Sequence, residues 1–150
     1  MNLFDMNTIL ISYIISNAIC MMVVLFLWLQ NLRRFKGLGF WLADFVMQFV
    51  ALILVILRGV VPDFISMTVS NTFSIGGTML LLAGLEQFLG KRRSQVHNVI
   101  LLTIFIFTHA YFVFVYPSLV ARNVIFSLGL LAVCSQCAWL MLRSVDVEMR

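Results

Sequence analysis

Asp44, Gln48 and Arg58 are the side chains whose types and spacing most readily suggest chemistry in this chain. If the segment is helical, at about 100° per residue, Gln48 and Arg58 each fall within about 40° of the Asp44 direction. Ala51 and Val55 lie between them on the same stripe. A carboxylate so placed could carry a proton or bind a cation. The plainer reading, which we favour, is a carboxylate near a membrane interface, hydrogen-bonded by Gln48 and reached by Arg33 or Lys36. Glu86 is read in the same way. It stands one turn before Gly90, opposite a stripe of small residues, and is expected to pair with Lys91 or Arg93 at the interface. His109, beside Tyr111, has the chemistry to bind a haem or sense protons, but a hydrogen-bonded histidine at a helix contact is the simpler expectation. Asn123, Ser127, Cys134 and Cys137 line one side of a helix. The run Cys134-Ser135-Gln136-Cys137 has the C-x-x-C spacing that marks redox or metal chemistry elsewhere. Here it sits inside an apolar run, and neither His97 nor His109 groups with it, whereas a zinc site wants about four ligands. Both cysteines are therefore expected to be small packing residues. No nucleophile–base pair, phosphate loop or paired carboxylates can be assembled, so we expect no catalytic residue, no cofactor and no metal.

The elements that must position these residues follow from composition. Of 150 residues, 63% are hydrophobic and 11% charged, against about 25% charged in a soluble domain. Mean hydropathy is +1.07. These values exclude a water-soluble enzyme, a nucleic-acid-binding domain and a disordered tail. Apolar runs cover residues 8–30, 38–57, 64–89, 96–116 and 118–142, each near the roughly 20 residues that a spanning helix needs. They are apolar on every face, unlike barrel strands. The expectation is an all-α, polytopic membrane helix bundle of five spans, forming a single domain over residues 1–150. The Tyr116-Pro117-Ser118 boundary is either a tight turn or a kink in one longer helix. The net charge of +4 reads as membrane topology rather than affinity for nucleic acid. Eight Lys or Arg (Arg33, Arg34, Lys36, Lys91, Arg92, Arg93, Arg143 and Arg150) fall on one side and two (Arg58 and Arg122) on the other. The amino terminus is thus expected outside and the carboxyl terminus in the cytoplasm, with the first span uncleaved.

Within the third span, Ser70, Ser74, Gly77 and Gly84 share a face on which helix backbones can approach closely, within the protein or between protomers. Asn71 and Thr78 adjoin it and can hydrogen-bond across the contact. Trp28, Phe40, Trp41, Tyr111, Tyr116 and Trp139 lie near the span ends, as interfacial belts do.

Three stretches carry a resemblance. They are Asn31-Leu-Arg-Arg-Phe-Lys-Gly-Leu-Gly-Phe-Trp-Leu-Ala-Asp-Phe, then Leu57-Arg-Gly-Val-Val-Pro-Asp-Phe-Ile-Ser, then Asn71 with Gly76-Gly77, Gly84 and Phe88-Leu-Gly. Together they resemble the multi-helix amino-terminal region that precedes diguanylate cyclase (GGDEF) domains, and sometimes histidine kinase domains, in bacterial signalling proteins. The resemblance is most specific over residues 31–90. It implies a membrane anchor and sensor in the bacterial cytoplasmic membrane, coupled through its last helix to a cytoplasmic output domain, often as a dimer. The matching positions (Arg33, Arg34, Gly37, Trp41, Arg58, Gly59, Pro62, Asn71, Gly77 and Gly84) then read as fold-defining. No GGDEF or kinase motif occurs between Met1 and Arg150, so no cyclase activity carries over. The expected function is a membrane input module without catalysis of its own, its partners the lipid bilayer, a second copy and an output domain or protein outside this chain. The alternative is a small oligomeric transporter using Asp44 in proton coupling.

Overall fold

A helix of 19 residues, at ~1.5 Å per residue, is about 28 Å long, close to the roughly 30 Å of a bilayer's hydrocarbon core. In lipid such a helix also satisfies every backbone donor and acceptor internally. The apolar runs accordingly form helices. A computed structural model describes residues 3–31, 37–91 and 94–148, with side chains over residues 8–31, 37–91 and 94–144. The helices are α1 (Leu3–Gln30), α2 (Leu38–Ile56), α3 (Ser70–Phe88), α4 (Val96–Phe114) and α5 (Leu119–Glu148). Five helices are long and apolar enough to span a membrane, and among the described residues there is no strand.

Two local features depart from the simplest reading of the runs, and a third decides between the two readings of the Pro117 boundary. The third span opens with a π-helical segment, Phe64–Val69, before α3 begins. Its wide turn is accommodated by hydroxyls: Ser70 Oγ donates to the Ser66 carbonyl at 2.6 Å and Thr72 Oγ1 to the Thr68 carbonyl at 2.7 Å. The boundary at Pro117 is a turn between two helices. Pro117 cannot continue a helix ladder, and Ser118 Oγ accepts from the Ala121 amide at 3.3 Å as an amino-terminal cap for α5. Finally, α5 runs on past residue 142 to Glu148.

The π-helical segment and α3 form the central span. A third of its most apolar window is enclosed by protein, 33% against 6% for α1. On one side α3 packs along α2, and on the other it meets α4 and α5; among the described residues α1 touches α2 alone. Leu82 and Leu85 of α3 close with Val133 and Leu140 of α5 into the apolar core, with Trp41 and Cys137 against its edge, while Ile75 of α3 is buried against Gly129 of α5. Met22, Phe107 and Val120 instead point outward from three different helices. Apolar surface on that scale marks a partner surface in a soluble protein, but it is what a lipid-facing exterior requires.

Small residues set the α2–α3 distance. A Cβ on Gly77 would stand 2.6 Å from Asp44 Oδ1, and one on Gly84 would stand 2.6 Å from Trp41 Cδ1. Gly37, with φ of 107° at the start of α2, has its backbone directly against the Gly84 carbonyl. Only glycine tolerates both that dihedral and that contact. The small-residue face of the third span therefore packs within the protomer.

Candidate functional site

Polar side chains inside lipid are costly and so mark positions with a role. In this bundle they gather at three levels around the central span. The middle level belongs to α2 and α3. Asp44 is buried there, Gln48 Nε2 donates to Asp44 Oδ1 at 3.4 Å and to the Ser74 carbonyl at 3.0 Å, and Gly77 seals the other side. The hydrogen bond from Gln48 is the one expected from the spacing. Arg33 and Lys36, its other expected neighbours, lie outside the described residues, as do Arg34, Arg92, Arg93 and Arg150.

The level near Gly90 is a directional hydrogen-bond chain. His97 Nε2 donates to Gln136 Oε1 at 2.9 Å, and Gln136 Nε2 to Asn98 Oδ1 at 3.0 Å. Asn98 Nδ2 then donates to Gln95 Oε1 at 2.6 Å, and Gln95 Nε2 to Glu86 Oε2 at 2.6 Å. Every amide donates toward the one carboxylate, an arrangement in which each bond polarises the next. For Glu86 the structure shows Gln95 in place of the expected Lys91, and Arg93, the other expected partner, lies outside the described residues. Glu86 is buried and held by Gln95, while Lys91 Nζ donates to Ser144 Oγ at 3.0 Å on α5. The side of α3 opposite its glycines faces α4 and α5 rather than headgroups, which is why a carboxylate there recruits amides. Gln136→Leu should cost about 1–3 kcal/mol by stranding the buried Asn98 carbonyl oxygen. The neighbouring Ser135→Ala, whose hydroxyl is exposed and bonds only its own helix, should stay within about 0.5 kcal/mol. Unfolding in detergent checks both, and equal losses would mean that the chain has no special weight.

The third level lies near Pro62 and Pro117 and is the candidate site. Its floor is His109 of α4, fully buried. Asn71 Nδ2 donates to His109 Nε2 at 3.0 Å, so Nδ1 is left to donate to Thr68 Oγ1 at 3.2 Å. Above it is a cavity of about 170 Å³. Arg58, from the turn after α2, Ser66 and Met67 of the π-helical segment, and Arg122 and Asn123 of α5 complete its walls. Arg122 Nη1 approaches the Met67 sulfur at 2.6 Å and Arg58 Nη2 approaches it at 3.9 Å. Met67 and Ser66 of the π-helical segment share this wall with Asn71 of α3. Four residues singled out from sequence (Arg58, Asn71, His109 and Asn123) thus converge here, joined by Ser70 at the cavity edge. Asp44, Gln48 and Glu86 belong to the other two levels.

Ser127 and Cys134 of α5 are exposed, on the same side as Asn123 at the rim of the cavity, while Cys137 is half-buried against the core; all three cysteines are free thiols. Among the described residues no three His, Cys, Asp or Glu side chains group as metal ligands.

Thr68, Met67, Gln95, Asn98 and Gln136 were not singled out from sequence, and Arg122 was counted only for topology. One signal did point to their region: the third span has the lowest hydropathy of the five, 1.2 against 2.4 for the first. A span that polar must be shielded from lipid by its neighbours. No protein-family model, no curated protein and no solved structure matches this chain, so its function has to be read from the geometry.

Proposed function

We propose that the chain is the membrane-embedded input module of a bacterial signalling protein, without catalysis of its own. On this reading it lies in the cytoplasmic membrane with its amino terminus outside and its carboxyl terminus inside. The observation that carries the proposal is the course of α5. This helix places Arg122 and Asn123 in the polar cavity at one end. It then packs Val133 and Leu140 into the core and reaches Glu148 without a break. A change in what surrounds Arg122 is thereby a change in the position or rotation of a helix that emerges on the opposite side. The eight-to-two distribution of Lys and Arg supports the orientation, and the resemblance over residues 31–90 supports the signalling context, with a second copy and a cytoplasmic output domain as partners.

The test is a fusion of residues 1–150 to a reporter output domain, with helical linkers of varied length after α5. Two inserted residues rotate the output by ~200° and seven by about −20°. The expected result is that two residues change output and seven restore it. Output indifferent to both linker phase and substitutions in α2–α5 would leave only an anchor. The transporter reading makes a different prediction, proton-coupled uptake in proteoliposomes that is lost in Asp44→Asn. The close enclosure of Asp44 by Gln48 and Gly77 favours a packing role for this carboxylate instead.

A further inference from the structure

We propose that the cavity between Arg58, His109 and Arg122 is a binding site for a small oxyanion, a carboxylate or phosphate group. Two guanidinium groups from different segments, the turn after α2 and the first turns of α5, converge on one thioether sulfur. A thioether is a weak acceptor, whereas a guanidinium offers five N–H donors in a fork that matches carboxylate and phosphate. Neither arginine forms an ion pair among the described residues, and Arg122 Nε is buried without a hydrogen-bond partner. Two like charges facing each other across a partly buried cavity repel in this environment, and one anion between them converts that repulsion into attraction on both sides.

The remaining walls fit the same ligand. Asn71, Ser66 and Asn123 carry hydrogen-bond donors, and among the described residues no carboxylate lines the cavity. Asn71 is also held on His109, which fixes its amide in place before any ligand arrives. The 170 Å³ volume is below the roughly 300–1,000 Å³ of drug-sized ligand pockets, so the group recognised is the headgroup of a lipid or a small free metabolite. This inference goes beyond the input-module reading and does not depend on it, because binding is a property of the bundle with or without an output domain.

The full chain in phosphatidylcholine nanodiscs is titrated with inorganic phosphate and with acetate at constant ionic strength, following the thermal midpoint and the imidazole NMR resonances of His109. A parallel sample replaces part of the lipid with phosphatidylglycerol. A saturable rise of the midpoint with phosphate or acetate, weakened about tenfold in each of Arg58→Gln and Arg122→Gln, is expected for a free anion, since each substitution removes a charge-assisted hydrogen bond. A rise with phosphatidylglycerol alone, absent from both variants, identifies a lipid headgroup and supports the same site. Should a variant fail to fold, the wild-type protein still decides: the ligand shifts the His109 resonances and leaves those of His97, at the opposite end, in place. The proposal is overturned if neither anions nor anionic lipid move the midpoint or His109, if His97 responds instead, or if folded variants bind as tightly as wild type.

Discussion

Gly84→Leu is expected to destabilise the bundle by about 3 kcal/mol or more, the upper end of the range for overpacked interiors. The position has no slack. A Cβ there stands 2.6 Å and 2.7 Å from two atoms of the Trp41 indole and 2.9 Å from the Gly37 carbonyl oxygen. Trp41 cannot swing clear without leaving Phe88, whose ring centroid lies 5.9 Å away. Gly37 cannot retreat either, because its own backbone lies against Gly84. Neighbouring glycines provide the scale. A Cβ on Gly76 meets only the terminal methyl of Met47, at 3.2 Å, so Gly76→Ala should cost less than about 1 kcal/mol. Gly77→Ala, which would press on Asp44 Oδ1 at 2.6 Å, should fall between the two. Denaturant unfolding of the purified protein in detergent ranks the three. A Gly84→Leu protein as stable as Gly76→Ala would show that α2 and α3 do not meet as described.

The second large effect is expected at His109. Replacing it by leucine leaves Thr68, itself buried, and Asn71 without the ring nitrogens they share. Each stranded polar group costs about 1–3 kcal/mol. Thr68 can turn its hydroxyl to a carbonyl of its own helix, which lowers its share, so a loss of about 2–3 kcal/mol is the expected outcome. Asn71→Leu alone should cost part of the same amount. The double variant should cost less than the two losses added, because the second substitution removes a group already stranded by the first. Strict additivity in that double-mutant cycle would mean that Asn71 and His109 do not interact. The same substitution would also loosen Asn71 beneath the arginine pair, so His109→Leu is expected to weaken any anion response along with stability.

How far the sequence reaches differs from one helix to the next. The apolar run that begins at Val96 and the one that ends at Gln30 share those bounds with α4 and α1, because apolar length and flanking charge are local properties. The Gly77 and Gly84 face was equally legible, since a stripe of small residues on a helix predicts close approach whatever the partner. That the partner is α2 of the same chain was not legible. The π-helical segment was hidden inside an apolar run, since Phe64–Val69 has the same composition whether it turns as an α- or a π-helix. Glu86 shows the limit most clearly: proximity in sequence points to Lys91 or Arg93, and among the described residues the fold supplies Gln95 and, behind it, Asn98 and Gln136 from two other helices.

The sequence by itself therefore determined that the described residues form five helices of membrane length, and which faces are small or polar. In lipid each such helix closes its own backbone hydrogen bonds, so length and hydropathy are enough to specify it. Only the tertiary structure decided which polar groups meet. His109 finds Thr68 and Asn71, and Arg58 and Arg122 come to share Met67, across separations of up to 55 residues. No helical period encodes those pairings. They are set by how α2, α4 and α5 pack around the central span, and that packing is fixed by glycines and core side chains distant from the residues it brings together.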